Sequence, residues 1–311
     1  MALFYRILIL LLFSATIVSA QNNRYNQQFR IITENDCYTS LSNDGYYTNG
    51  LMLSLQWMPK KKDSLHNIKY NSFEWGQLIY NAEDGHYDFE KIDRPITGYL
   101  YNGFQQKIYT KKQNLLKWSL SAGVIGKPAM GEDLQNAIHK FWNLYRTPQW
   151  KYQLAPAWGG TFSMTWSPQV GKYFPSRRFA FKPVIGGSVG NMLTNAMAGT
   201  ALIFGRINPN SSTVFWGNHI GHSKKDREFF FYLYPAFYLK AYDVTVQGNM
   251  FKPDPTPIPG KLNPYFFQGK AGFMYAGNRF AIGYSAVYEN KQSLTQRYPQ
   301  YYGSVQMNFM W

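Results

Sequence analysis

The sequence holds one cysteine, Cys37, in 311 residues, so no intramolecular disulfide can form and a cysteine-stapled secreted fold is excluded. Acidic residues are scarce: 17 Asp and Glu stand against 32 Lys and Arg, a formal charge of +15. Beyond residue 20 no apolar run is long enough to cross a bilayer as a helix, which takes roughly 20 residues. No HExxH zinc helix occurs, so the chain offers no signature for a zinc protease. Cys37 has no catalytic motif around it and reads as a small filler.

What is present begins with the leader. Arg6, the apolar ILILLLFSATIV at 7–18 and the small Ser19 and Ala20 ahead of Gln21 read as a secretory signal peptide over residues 1–20. Residues 21–311 then form one domain, with no internal repeat and no flexible linker. Export with a single thiol fits a bacterial envelope protein. Export also turns the strong basicity away from nucleic acid and toward anionic lipid or lipopolysaccharide headgroups, general solubility being the bland alternative. Aromatics are abundant, with 25 Tyr, 23 Phe and 9 Trp. A soluble domain would have to bury most of these rings, whereas a membrane barrel can set them on its lipid face and in two girdles.

Hydropathy alternates with period two in several stretches. In LLKWSLSAGV (115–124), Leu116, Trp118, Leu120, Ala122 and Val124 oppose Lys117, Ser119, Ser121 and Gly123. WGGTFSMTW (158–166), RFAIGYSAVY (279–288) and the C-terminal SVQMNFMW (304–311) repeat the pattern. Near the start, Leu51, Leu53, Leu55 and Trp57 share a face opposite Met52, Ser54 and Gln56. Such strands could build a soluble sandwich. The leader and the final alternating strand ending on an aromatic favour an all-β, antiparallel transmembrane barrel of ten to fourteen strands, whose first and last strands pair because lipid satisfies no free edge. FFFYLYPAFYLKAY (229–242) is apolar on both phases and carries Pro235, which predicts one or two strands bent near a rim. PKKKDS (59–64), RINPNSS (206–212), HSKKDRE (222–228) and PDPTPIPGKLNP (253–264) read as loops.

One segment breaks the pattern. GEDLQNAIHKFWN (131–143) repeats Leu134, Ile138, Phe141 and Trp142 at helical spacing, and Glu132, Gln135 and His139 form a second, polar line. A short helix between strands is a lid or a plug, and its polar line requires a polar partner. His139 stands out among five histidines, although a surface or merely hydrogen-bonded role is open to it. The other conspicuous cluster is END at 34–36, two carboxylates and an amide in an acid-poor chain. Together they suggest hydrolysis. His139 would deprotonate water while Asp36 orients the ring or holds a metal, and Asn35, Thr48 and Gln135 would place substrate oxygens or water. Glu34 or Asp36 could bind a hard cation opposite the developing oxyanion, calcium being favoured over zinc by the oxygen-rich surroundings.

END (34–36), YYTNGL (46–51), DRPITGYLY (93–101) and GKPAMGEDLQNAIH (126–139), with GNM (248–250) behind them, resemble in order the outer-membrane lipid A 3-O-deacylase family. The resemblance spans most of the mature chain. It implies a twelve-stranded barrel in the bacterial outer membrane, with the active site between the wall and a short helix at the outer leaflet. It further implies cleavage of the 3′-linked acyloxyacyl ester of lipid A or lipopolysaccharide, with histidine activating water, calcium supporting the oxyanion and no obligate protein partner. Carried over by motif, Asn35 and Asp36 match the Asn-Asp pair, Thr48 the YT threonine, and Gln135 and His139 the helical QxxxH. Glu132, in the GE element, joins Asp36 and Glu34 as a metal-binding acid. Arg94 orients the wall near the pocket or meets a substrate phosphate, a salt bridge fixing a turn with Asp93 being the bland alternative. YRTPQWKYQL (145–154) follows its counterpart only loosely.

Overall fold

A computed structural model describes residues 25–39, 45–59, 67–83, 91–141, 143, 147–171, 178–221, 227–255 and 260–311. The expected signal peptide, the loop at 60–64, Trp142, His66, His86 and His222 lie outside the described residues. The first six strands are β1 (Gln27–Asn35), β2 (Tyr47–Trp57), β3 (Ile68–Tyr80), β4 (Thr97–Tyr109), β5 (Leu115–Ile125) and β6 (Ala157–Ser167). The rest are β7 (Phe179–Gly190), β8 (Leu193–Arg206), β9 (Glu228–Asp243), β10 (Tyr265–Ala276), β11 (Phe280–Glu289) and β12 (Gln300–Met310). Each pairs antiparallel with its sequence neighbours, and β1 closes on β12 from Gln28↔Met310 to Asn35↔Gly303. The twelve-stranded barrel is therefore complete, with no edge left for lipid to meet.

The period-two faces fall as the sequence requires. Leu120, Trp158, Phe162 and Val189 are 59%, 70%, 43% and 61% exposed on the outer wall, an apolar surface that only lipid makes tolerable. Inside lie Gln28, Gln56, Ser72, Gln105 and Lys107, all buried, with Arg30 and Glu74 paired at 3.0 Å.

Two expectations change. Residues 229–242 belong to a single strand, β9, that runs the height of the wall without stopping at a rim. Pro235 pairs with Gly269 on β10, and on the other side the ladder to β8 passes from Gly199↔Ala236 to Leu202↔Leu233, omitting the proline. Both phases are apolar because both faces are covered. Phe231 and Phe237 meet lipid, while Phe230 joins an internal cluster with Ile203, Ile207 and Val214.

The second change concerns RINPNSS (206–212), read as a loop, and the residues that follow it. Residues 207–221 fold back into the barrel at the end where β1 begins and β12 ends, burying Asn210, Val214, Asn218 and Ile220 completely. Glu228 fastens this plug by accepting the N–H groups of Asn208 and Val214, each at 2.7 Å. Lys107 Nζ donates to the Trp216 carbonyl at 2.7 Å and Gln28 Nε2 to that of Gly217 at 2.9 Å. His219 is consumed here, its Nε2 2.5 Å from the Gly277 carbonyl. A narrow-channel function is thus opposed by a filled lumen, and planar-bilayer recordings are expected to find no steady conductance for the wild type. Glu228→Ala, which frees two plug amides, is expected to raise the frequency of brief openings. A stable open pore in the wild type would contradict the plug.

Candidate active site

The long connections from β3 to β4, β5 to β6 and β9 to β10 leave from the end opposite the start of β1 and the end of β12, the outer end in barrels of this kind. There β1 runs out at Asn35, and period two divides the END cluster. Glu34 faces the lumen, where the Tyr47 hydroxyl donates to its Oε2 at 2.6 Å. Asp36 starts a 3₁₀ turn, Asp36–Thr39, and the Oδ1 atoms of Asn35 and Asp36 both accept the Cys37 N–H, at 2.8 and 2.9 Å. Asp36, only 3% exposed, reaches across with Oδ2 to accept the Gly45 N–H at 3.1 Å.

The chain re-enters through Tyr46, whose φ of 58° is left-handed, and then a bulge. The register passes from Tyr47↔Tyr80 to Asn49↔Ile79, leaving Thr48 as the extra residue. A bulge re-aims a side chain, and Thr48 is turned to Asn81 just beyond β3. Asn81 is tied by its N–H to the Tyr46 carbonyl at 2.7 Å. Its Nδ2 is shared between Thr48 Oγ1 and Gln135 Oε1, both at 3.1 Å. Asn81 Oδ1 is buried without a hydrogen-bond partner among the described residues.

Gln135 comes from α1 (Gly131–Phe141), the helix expected from the sequence. It lies against the outer face of β3 and β4, and the contact is close because glycine meets glycine. A Cβ at Gly98 would stand 3.0 Å from the Gly131 Cα, and one at Gly131 would stand 2.6 Å from Trp150 Cη2. The buried face is Gly131, Gln135 and His139, while Phe141 is 57% exposed. An isolated amphipathic helix would bury its apolar stripe. Here the polar line is pressed to the wall and the stripe is shared between wall and lipid, Leu134 packing partly on Ile79, Ile96 and Trp150. The fully buried Trp150 donates its Nε1–H to Gln135 Oε1 at 2.7 Å, and Gln77 Nε2 donates to the Ala129 carbonyl at 2.6 Å. Beside the helix an outward groove of about 380 Å³ runs between Trp75, Gln77, Leu100, Met130, Asp133 and Leu134. A second groove of about 360 Å³, on β9–β12, has no carboxylate or imidazole in its lining.

Thr48, Gln135 and the unforeseen Asn81 and Trp150 therefore meet directly. Asp36 and His139 are joined to them through short links: Asp36 holds Gly45, next to Tyr46, whose carbonyl holds Asn81; His139 is one helical turn beyond Gln135 on the same buried face. Glu132 is half-buried in the first turn of α1. The three acids expected to share a metal do not gather. Among the described residues no three of His, Cys, Asp and Glu cluster to hold an ion, and Glu34 is committed to Tyr47. Asp36 holds the Cys37 and Gly45 N–H groups.

Arg94 is not at the surface. It is 0% exposed, with its guanidinium over the Tyr80 ring at 4.3 Å and donating to Pro95 O at 2.9 Å, Gln292 Oε1 at 2.8 Å and Thr245 Oγ1 at 3.1 Å. It locks the outer mouth of the lumen and cannot reach a lipid phosphate from there. Nor does it hold Asp93 as a turn partner. Asp93 instead accepts the Tyr46 hydroxyl at 2.6 Å and the backbone N–H groups of Glu83 at 3.3 Å and Arg297 at 3.0 Å.

The family model of outer membrane protein LpxR matches residues 6–311. LpxR from Salmonella typhimurium is similar in structure, with a TM-score of 0.76 at 18% identity over 91% of this chain and 100% of that one. The beta domain of the Bordetella autotransporter BrkA shares the barrel more distantly, with a TM-score of 0.50 at 11% identity over 91% of this chain and 98% of that one. No curated protein sequence matches. With the family model covering nearly its whole length, the chain belongs to the LpxR family, the lipid A 3-O-deacylases of the bacterial outer membrane.

Proposed function

We propose that this outer-membrane protein hydrolyses the ester joining the 3′ acyloxyacyl group to lipid A, with His139 as the base that activates water. The observation that carries this reading is the inverted helix. Gln135 and His139, on the polar line of α1, are turned against the outer wall at the outer-leaflet rim, beside an apolar groove. A buried polar face on a lipid-facing helix is costly unless its groups are paired, so its retention points to chemistry there.

In this mechanism the groove beside Trp75, Leu100 and Leu134 holds the acyl chain, and the scissile carbonyl lies at its polar end. Water loses a proton to the neutral imidazole of His139 as its oxygen attacks the carbonyl carbon. The bond from that carbon to the sugar oxygen then breaks, the sugar oxygen takes the proton from His139, and the acyloxyacyl acid leaves. Gln135, fixed by Trp150 and Asn81, holds the helical turn that carries His139. Asn35 and Thr48 place the water and the substrate oxygens, and Asp36 orients the site.

The oxygen donors left at this rim fit calcium better than zinc. The Asp36 carboxylate, the Thr48 hydroxyl and the orphaned Asn81 Oδ1 would hold it. When bound, calcium supplies positive charge to the ester oxygen. A single carboxylate implies weak affinity, in the range of about 10⁻⁴–10⁻³ M. Purified protein acting on lipid A in detergent is therefore expected to lose activity in EDTA and regain it at about 1 mM calcium. Activity unchanged by chelation would remove the cation from the proposal.

A further inference from the structure

Lipid A is an anion as well as an ester, and Arg94, the arginine expected to meet that charge, is locked in the lumen mouth. We infer that Arg297, on the segment between β11 and β12, is the residue that binds the anionic headgroup of the substrate, an inference that rests on the deacylase reading above. Its backbone is fixed to the site, for Arg297 N–H donates to Asp93 Oδ2 at 3.0 Å and to the Tyr46 hydroxyl at 3.2 Å. The Tyr298 N–H donates to the same hydroxyl at 3.2 Å. Tyr46 is also the residue whose carbonyl holds Asn81, so one buried tyrosine sets Arg297 and the polar cluster in a common frame. Burial, reinforced by the Asp93 carboxylate, pushes the Tyr46 phenol well up, so it remains a donor throughout the physiological range.

The Arg297 side chain, by contrast, reaches outward. It is 45% exposed, and the nearest acid among the described residues, Glu83, is 3.8 Å away, beyond hydrogen-bond length. Glu83 follows Asn81 by two residues, and its N–H is held by the other oxygen of Asp93 at 3.3 Å. The guanidinium thus stands over the same rim as the ester site, weakly held, on an anchored backbone. Its planar fork suits two oxygens of a phosphate ester or a carboxylate. The exposed lysines on and beside α1, Lys127, Lys140 and Lys151, are compact charges on flexible stems and attract anions with less directional preference.

Wild type, Arg297→Ala and Arg297→Lys would be compared on three substrates: lipid A with both phosphates, the same lipid with its phosphates removed, and lipid A extended by acidic core sugars. Heat-modified gel migration would verify that each variant folds. Arg297→Ala is expected to raise KM about tenfold with kcat nearly unchanged, the pattern of lost ground-state binding, and lysine is expected to recover part of the loss. If the penalty disappears without the phosphates, the partner is a phosphate. If it arises only with the core sugars, the partner is their carboxylate. An equal penalty on all three, or none on any, overturns the assignment. Should wild type cleave none of them, the deacylase reading fails, and binding of the same three lipids by wild type and Arg297→Ala still decides the role of Arg297.

Discussion

His139→Ala is expected to lower lipid A deacylation by about 10³-fold, within the span that a positioned general base contributes. The barrel should assemble unchanged, since its strand ladders close independently of the helix. His139 is only 7% exposed although it sits on a surface helix, and alanine leaves the Gln135 contacts to Asn81 and Trp150 in place. The loss should therefore appear in kcat, with the acyl groove intact and KM little moved. His139→Gln preserves size and polarity without supplying a base, and it should be equally inactive. Activity near wild type in either variant would return His139 to a packing role.

A second large effect is expected from a residue with no side chain. Gly131→Val would drive a branched side chain into Trp150 and the Gly98 backbone, because even a lone Cβ meets them at 2.6 and 2.9 Å. Neither partner can yield cheaply: Trp150 is completely buried, and Gly98 lies in the β4 ladder. The helix must then lift, carrying Gln135 and His139 away from Thr48 and Asn81. A displacement of about 1 Å at a catalytic group costs on the order of 10²-fold in rate. Heat-modified migration and the β-sheet spectrum should stay those of the wild type, because the wall pairs without the helix. Wild-type turnover in Gly131→Val would mean that the close seat of α1 is unnecessary.

The wall was legible because lipid and lumen impose opposite chemistry on alternate residues. Leu116, Trp118 and Leu120 needed no tertiary information to be placed on one face, and Phe280, Ile282 and Tyr284 needed none either. The helix was equally legible, since Gln135 and His139 share a face at four-residue spacing. What escaped depends on where distant loops return. Asn81 looks like an ordinary polar residue after a strand, and only the bulge at Thr48 and the docking of α1 give it two partners. Trp150 sits in a stretch with weak motif likeness, and its meeting with Gln135 follows from the fold of residues 147–154 beneath the helix. Arg94 misled because its neighbour Asp93 suggested an exposed turn, whereas its partners Thr245 and Gln292 lie 151 and 198 residues away in sequence. Glu34 and Asp36 read as one acidic cluster, whereas Glu34 closes the strand in a bond with Tyr47 and Asp36 opens the 3₁₀ turn in a bond with Gly45.

The most direct test of the central claim is the mass spectrum of lipid A from one host expressing wild type or His139→Ala at equal membrane levels. Wild-type cells are expected to lose the 3′ acyl chain and its secondary acyl chain together, as one acyloxyacyl unit, with His139→Ala cells retaining both. Identical spectra, or loss of the secondary chain alone, would contradict it.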